Sequence, residues 1–170
     1  ELYDGWRTAR IIATLLQKKY PEFDLLLFGK QSVGADNAQV PSMVAEMLGL
    51  PQVNVVTKLE LTEAKGVAYR EIEGAYEKVE FTLPAVLSAQ KGLNEPRYET
   101  LRGIMAAKRK QIPVVTLDEL GLTAEEIKPR LEIVKVESPP ARKAGQVIED
   151  EPQAAAKKLV AFLHEEVKVI

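Results

Sequence analysis

The residues from Gly29 to Val40 are the ones in this chain whose types and spacing could hold a ligand. Gly29 and Gly34 have no side chain to keep a ligand from the backbone. Ser32, Asn37 and Gln39 carry donors suited to a phosphate or a ribose, and Lys30 adds a positive charge. That chemistry is non-covalent anion binding. A plainer reading uses the same residues: many strand-turn-helix connections bind nothing, and Asp36 or Asn37 then serves only as a helix N-cap. The loop has neither the Walker nor the GxGxxG spacing. Other chemistries are closed off. Without cysteine there is no disulfide, thiolate metal site, cysteine nucleophile or cysteine-ligated iron–sulfur cluster. The single histidine, His164, lies beside Glu165 and Glu166, so no catalytic triad or histidine metal cluster is available. The carboxylates at Asp118-Glu119, Glu125-Glu126 and Glu149-Asp150-Glu151 fit turns or helix starts, and no metal is assigned to them.

The loop has to be positioned by what flanks it. Phe23 to Phe28 is an apolar run broken only by Asp24, the pattern of a parallel strand buried on both faces. Gly29 ends it, at the edge of an open α/β sheet where ligands bind. A helix is expected over Ala38–Leu48, with Gly49 just past its end. Its N-terminus would present free N–H groups and a positive dipole to the loop. Pro41 has no N–H to give, so the donors fall to Ala38–Val40. Upstream, residues 1–20 begin inside an apparent helix, with Trp6, Ala9, Ile11, Ile12, Leu15, Leu16 and Tyr20 near helical spacing and Pro21 closing it.

Downstream the character changes. Val53–Leu61 is β-rich. Val67–Ile72 and Tyr76–Leu83 flank Glu73-Gly74-Ala75 as a hairpin, with apolar and charged residues alternating as in strands with one wet face. Pro84–Leu87 returns to a buried-strand pattern, and Gln90–Pro96 is a loop. A helix over Tyr98–Lys110 and short strands at Val114–Leu117 and Leu131–Val136 follow. Pro139-Pro140 and Arg142–Gly145 form an exposed linker. A last helix over Ala154–Val167 carries the apolar stripe Ala155, Leu159, Phe162 and Leu163.

At 170 residues, 46% hydrophobic and 28% charged, with a net charge of −2, the chain is an ordinary globular sequence. That balance points neither to a nucleic-acid surface nor to a polybasic membrane tether. No apolar run approaches the ~20 residues of a membrane span. The lack of cysteine suits a reducing compartment.

The string Leu93-Asn94-Glu95-Pro96-Arg97-Tyr98 is unusually specific, and it leads through Thr100-Leu101 to Lys108-Arg109-Lys110. Pro96 biases Glu95 away from helix, so an extended chain turns abruptly into one. Leu101, at the first turn, can pack inward or protrude as an anchor for a partner's pocket. The three cations can stabilise a helix C-terminus or steer the chain toward acidic surfaces. This string, the Gly29–Ser32 and Asp36–Val40 residues, and Tyr69–Gly74 with Val79-Glu80 and Leu83–Val86 occur in one order. Together they resemble the electron transfer flavoprotein β subunit.

The resemblance implies an α/β, parallel-sheet domain of the adenine-nucleotide-hydrolase-like (Rossmann-like) type, with a β-hairpin segment and a C-terminal helical arm. Residues 1–137 would form a partial nucleotide-binding domain that includes the hairpin and a recognition segment at 89–110. Residues 138–170 would be a linker and a helix contacting the sheet or an α subunit. About half a sheet, including the first strand, would precede this chain, making it a fragment with exposed apolar edges and poor stability on its own. By motif position AMP would be held by Gly29, Lys30, Gln31, Ser32, Val33, Asp36, Asn37, Gln39 and Val40. The chain has Pro41-Ser42 where the family usually has Gly-Pro. Leu93, Asn94, Glu95, Pro96, Arg97, Tyr98 and Leu101 would dock partners, with Leu101 as anchor. Glu71 would help orient a flavin-bearing domain of the α subunit. The implied function is a non-enzymatic electron carrier, with FAD mainly on the α subunit. It would pass electrons from acyl-CoA dehydrogenase-type flavin dehydrogenases to a quinone oxidoreductase, in the cytoplasm or the mitochondrial matrix, the cytoplasm being favoured. Two alternatives stay open: a bifurcating complex with a second FAD in place of AMP, and an ATP-using ligase or nucleotide-binding module on the same fold.

Overall fold

The computed structural model describes residues 4–141, 145 and 147–169. Of the expected linker, Arg142, Lys143 and Ala144 lie outside the described residues, as do residues 1–3 of the first segment. The chain divides into two compact units, Glu1–Glu132 and Ile133–Ile170.

The first unit is mixed α/β. Helix α1 (Gly5–Lys19) leads to β1 (Leu25–Gly29), α2 (Val40–Leu48), β2 (Gln52–Leu61), β3 (Lys65–Ile72), β4 (Ala75–Thr82), β5 (Ala85–Ala89) and α3 (Leu101–Ala107). The strands form one sheet in the order β1-β5-β2-β3-β4. Its β1-β5-β2 half is parallel, and β3 and β4 add antiparallel to β2. The sheet is therefore mixed, where the apolar strands alone suggested a parallel one. The hairpin explains the difference: Gly74, at φ 71°, turns the chain within two residues, too few for a parallel crossover.

Burial follows strand position. β5 lies between two parallel neighbours, and Ala85, Val86, Leu87 and Ser88 are all but fully buried. β1, in contrast, lies at the sheet margin, and Leu27 is 61% exposed. The expected burial of this strand on both faces does not hold: among the described residues nothing covers the face that Leu27 presents. The main core gathers Val53, Val56, Ala68, Phe81, Ala85 and Leu87. Phe81 covers Gly66, its cross-strand partner, and a β-carbon added at Gly66 would lie 2.2 Å from the ring tip.

β2 is irregular at two places. Its pairing with β5 shifts between Val53 and Val56, and its pairing with β3 shifts between Val56 and Lys58. Each shift inserts an extra residue as a β-bulge. Within the first bulge Val55 takes φ 62°, and its N–H donates to the buried Ser88 hydroxyl at 2.9 Å.

Helices α1 and α2 pack against each other. The buried residues on α1 are Arg7, Ala9, Ala13 and Thr14, a stripe smaller than the aromatic-to-aliphatic one expected; Tyr20 is 52% exposed. Small side chains on both helices, with Val44 and Ala45 buried on α2, permit a close approach. Ile11 and Leu15 serve a second core with Leu120, Leu122 and Ile127. Val115 and Leu117 pack there too, so the expected strand at Val114–Leu117 is absent. The expected strand at Leu131–Val136 is absent as well: Leu131 gives its N–H to the Asp4 carboxylate at 3.2 Å.

α3 is shorter than the expected Tyr98–Lys110. Thr100 caps it by accepting from the Gly103 N–H at 3.1 Å, which fixes the first helical residue at Leu101. In the second unit, α4 (Pro152–Ala161) continues into a π-helical turn, Phe162–Val167, and none of their residues is buried. The single helix expected at Ala154–Val167 thus widens at Phe162. No helix is long and apolar enough to cross a membrane among the described residues.

Candidate functional site

β1 delivers the chain to the sheet's C-terminal edge at Gly29, and the Lys30 N–H extends the ladder by one bond to the Ala89 carbonyl, 3.1 Å. The chain then leaves the sheet. Gly34, Asp36 and Ala38 all lie in the left-handed region, at φ 99°, 49° and 50°. Three such residues in five fold the loop back on itself, and the Gln31 side-chain amide braces it by donating to the Asp36 carboxylate at 2.8 Å. The left-handed Ala38 also settles where α2 begins. The helix starts at Val40 with Gln39 as its cap, two residues later than expected. Pro41 occupies the first turn, where a missing N–H costs nothing. Gln39 makes no side-chain capping bond to the turn.

The folded-back loop, the start of α2 and the start of α1 enclose a cavity of about 320 Å³. Gly29, Lys30, Gln31, Ser32, Asn37, Gln39 and Val40 line it. The other two residues singled out by resemblance do not. Val33 is fully exposed, and Asp36 is engaged with Gln31. The volume is at the small end of the ~300–1,000 Å³ range of ligand sites. Lys30, Ser32 and Asn37 bring an ammonium, a hydroxyl and an amide to the lining, all of them donors. Those donors are the chemistry of non-covalent anion binding, and no lining residue is a nucleophile hydrogen-bonded to a base among the described contacts.

Sequence reasoning missed the other wall. Asp4, Gly5 and Thr8 of α1 line the cavity, as do Phe28, Ala35, Ala38 and Pro41. Asp4 is only 5% exposed. Its Oδ1 accepts from the Arg7 N–H at 2.7 Å as the N-cap of α1, and its Oδ2 accepts from the N–H groups of Arg130 and Leu131. Burial alone would raise its pKa, but these three bonds and the Arg7 charge outweigh that and hold it below the ordinary 3.8. Asp4 is therefore a fixed negative charge. The adjoining Gly5 lets α1 approach α2's cap: a β-carbon there would lie 3.2 Å from the Gln39 side-chain oxygen. An aspartate just ahead of the first helical periodicity was the available signal.

The remaining sequence-selected residues lie elsewhere. Leu93 is half-buried and packs on the main core, while Asn94, Glu95, Pro96, Arg97 and Tyr98 are exposed. Leu101 protrudes, 78% exposed, and Ile104 and Met105 stand exposed on the same short helix. Lys108, Arg109 and Lys110 follow its end and are exposed. Glu71 is exposed near the tip of the β3–β4 hairpin, opposite Tyr76. Its neighbour Arg70 forms an ion pair across the hairpin with Glu77, a partner that adjacency in sequence does not suggest. No cluster of metal-ligating side chains exists among the described residues.

Comparison with known proteins gives a consistent result. The electron transfer flavoprotein domain family matches residues 1–120. The electron transfer flavoprotein subunit beta of Bacillus subtilis is 42% identical over 152 residues, which cover 89% of this chain and 59% of that protein. The subunit of the same name from Syntrophomonas wolfei is 40% identical, covering 95% and 61%. The one from Homo sapiens is 38% identical, covering 89% and 57%. The chain thus spans about three fifths of the length of the curated relatives it matches.

Proposed function

Because this chain belongs to the electron transfer flavoprotein β-subunit family, we propose that it serves in a heterodimeric electron carrier as the subunit that binds AMP and docks redox partners. The observation that carries this reading is the cavity at the sheet edge, which seven of the nine resemblance-selected residues line together. Its size suits one mononucleotide, and Lys30, Ser32, Asn37 and Gln39 supply the donors a phosphate and ribose require. The parallel half of the sheet, with α1 and α2 beside it, supports an adenine-nucleotide-hydrolase-like fold. In that role AMP is structural: it ties the loop to two helix starts and takes no part in redox chemistry.

The partner α subunit would hold FAD, which supplies the redox chemistry. This chain's residues then act by position. Leu101, protruding beside the exposed Ile104 and Met105, has the form of an anchor for an acyl-CoA dehydrogenase-type donor. The cations from Lys108 to Lys110 would steer acidic partners, whether donor dehydrogenase or acceptor quinone oxidoreductase. Glu71, exposed beside the hairpin turn, would meet the mobile flavin domain through an ion pair weak enough to break, ~0–1 kcal/mol. The role is that of a carrier subunit, not an enzyme, and the cytoplasm is the favoured location.

The test is the nucleotide content of the complex this protein forms in the cell, read by denaturation and mass spectrometry. One FAD and one AMP per heterodimer is expected. Two FAD and no AMP would overturn the AMP assignment in favour of a bifurcating complex. No flavin would sink the electron-carrier reading.

A further inference from the structure

Neither Ser42 nor Asn54 lines the cavity, yet the hydrogen bond between them joins its wall to the interior of the sheet. We propose that the Ser42–Asn54 bond positions the first turn of α2 for the ligand, so that a bulge in β2 sets the affinity of a site it does not touch. The inference rests on the nucleotide-binding reading above and adds two positioning residues outside the lining.

The start of α2 has little else to hold it. Gln39 makes no side-chain capping bond, and the left-handed Ala38 breaks the chain's course just before it. Val40 and Pro41, the first two helical residues, form part of the cavity wall, and Ser42 comes next. Its hydroxyl accepts from the Asn54 amide at 3.0 Å, the side-chain hydrogen bond that ties this turn to the sheet among the described residues. The departure from Gly-Pro at Pro41-Ser42 is what supplies that hydroxyl.

Asn54 is itself fixed. Its amide has two N–H donors, and the second goes to the Gln52 side-chain oxygen at 2.8 Å. The residue lies inside the first bulge of β2, between Val53 and Val56, and bulges re-aim side chains. Beside it, Val55 holds a conformation that a β-branched residue rarely adopts. The buried Ser88 hydroxyl of β5 keeps it there by accepting the Val55 N–H. The bulge is thus anchored in the sheet, and Asn54 carries that anchorage to α2. A turn held in place before the ligand arrives spares the ligand the cost of ordering it. The net worth of one such hydrogen bond sets the size of the effect, about two- to twelvefold in affinity.

The experiment uses the intact complex, stripped of bound nucleotide and titrated calorimetrically with AMP. Ser42→Ala and Asn54→Ala should each weaken binding by about three- to tenfold, and the double variant should bind no more weakly than either single one. Ser42→Thr, which keeps the hydroxyl, should stay within about twofold of the parent. Should Asn54→Ala fail to fold, Ser42→Ala against Ser42→Thr carries the test alone. Folded alanine variants with unchanged AMP affinity, whatever their Tm, make the bond structural only and overturn the proposal. Losses that multiply in the double variant, or a threonine variant as weak as the alanine one, overturn it as well; each of these results leaves the nucleotide reading standing. Failure of the unmutated complex to bind AMP overturns the reading beneath, and this inference with it.

Discussion

Gly66→Ala tests the packing of the sheet most directly. An ideal β-carbon at Gly66 would lie 2.2, 2.7 and 2.8 Å from three atoms of the Phe81 ring. Carbon atoms in contact prefer ~3.5–4.0 Å, so the ring tip must retreat by more than about 1 Å. It has nowhere to go: Phe81 is 7% exposed and shares its core with Val56, Ala68, Ala85 and Leu87, each no more than 1% exposed. Overpacking of this kind costs about 1–3 kcal/mol. Replacing glycine in a strand returns roughly 0.5–1 kcal/mol of that through the unfolded chain. The net is a loss of up to about 2.5 kcal/mol, centred on about 1–1.5 kcal/mol, which lowers Tm by about 2–6 °C in a chain of this size. The assay is thermal unfolding of variant and parent in identical preparations, with Phe81→Leu and the double variant alongside. Removing the ring should remove the penalty, so the double variant should be more stable than additivity predicts by at least about 1 kcal/mol. An unchanged Tm for Gly66→Ala, or strict additivity, would refute the argument.

Three further outcomes follow from burial and charge. Asp4→Asn should destabilise the fold by about 1–3 kcal/mol near neutral pH, since it weakens charge-assisted bonds to three N–H groups. Because the folded pKa is depressed, that contribution exists above the ordinary 3.8 and disappears as pH falls through the folded value, so urea unfolding should show the gap constant from neutrality to about pH 5 and closing below pH 3.8; a gap that widened in acid would reverse the sign. Leu101→Ala should leave stability within about 0.5 kcal/mol, as its exposure of 78% dictates, while the proposed anchoring role requires that it weaken binding of a donor dehydrogenase roughly thirtyfold in surface-plasmon measurements. Ile127→Ala should do the opposite, costing about 2–5 kcal/mol of stability by opening the second core and leaving docking unchanged.

The parts of the fold that were legible in the sequence are those fixed by neighbours in the chain. Gly49 takes the left-handed helix cap its position foretold, and the Glu73-Gly74 turn joins β3 to β4. The β5 segment is buried as its unbroken apolar run required. What escaped was set by contacts distant along the chain. The apolar residues of Val114–Leu117 alternate well enough for a strand, yet they found a core against α1 in place of a ladder. Phe23–Phe28 reads as a parallel strand buried on both faces, yet β1 sits at the sheet margin with Leu27 exposed, and no local pattern reports what packs on a strand. Half of the candidate site was legible for the same reason. Gly29–Val40 is contiguous, while Asp4, Gly5 and Thr8 reach the cavity through the packing of α1 on α2. The left-handed Ala38, which delays α2, breaks the preference of its own residue type and could not be read from it.

The two bulges in β2 bear on how this protein can vary. Val53, Val56 and Leu59 all reach the main core, although successive members are three residues apart, an interval that points opposite ways in a regular strand. Each interval contains one bulge, and the bulge restores the face. The strand therefore keeps a count as well as a composition. Substitutions at Asn54, Val55 or Thr57 change local strain, whereas deleting one residue from either interval regularises the strand and turns everything beyond it inside out. The hairpin is hung on that far half, so Arg70 and Glu71 would exchange faces. Among descendants of this sequence, length variation should collect at the β3–β4 turn and avoid Val53–Leu59, where a lost residue alters the orientation of some thirty others up to β5.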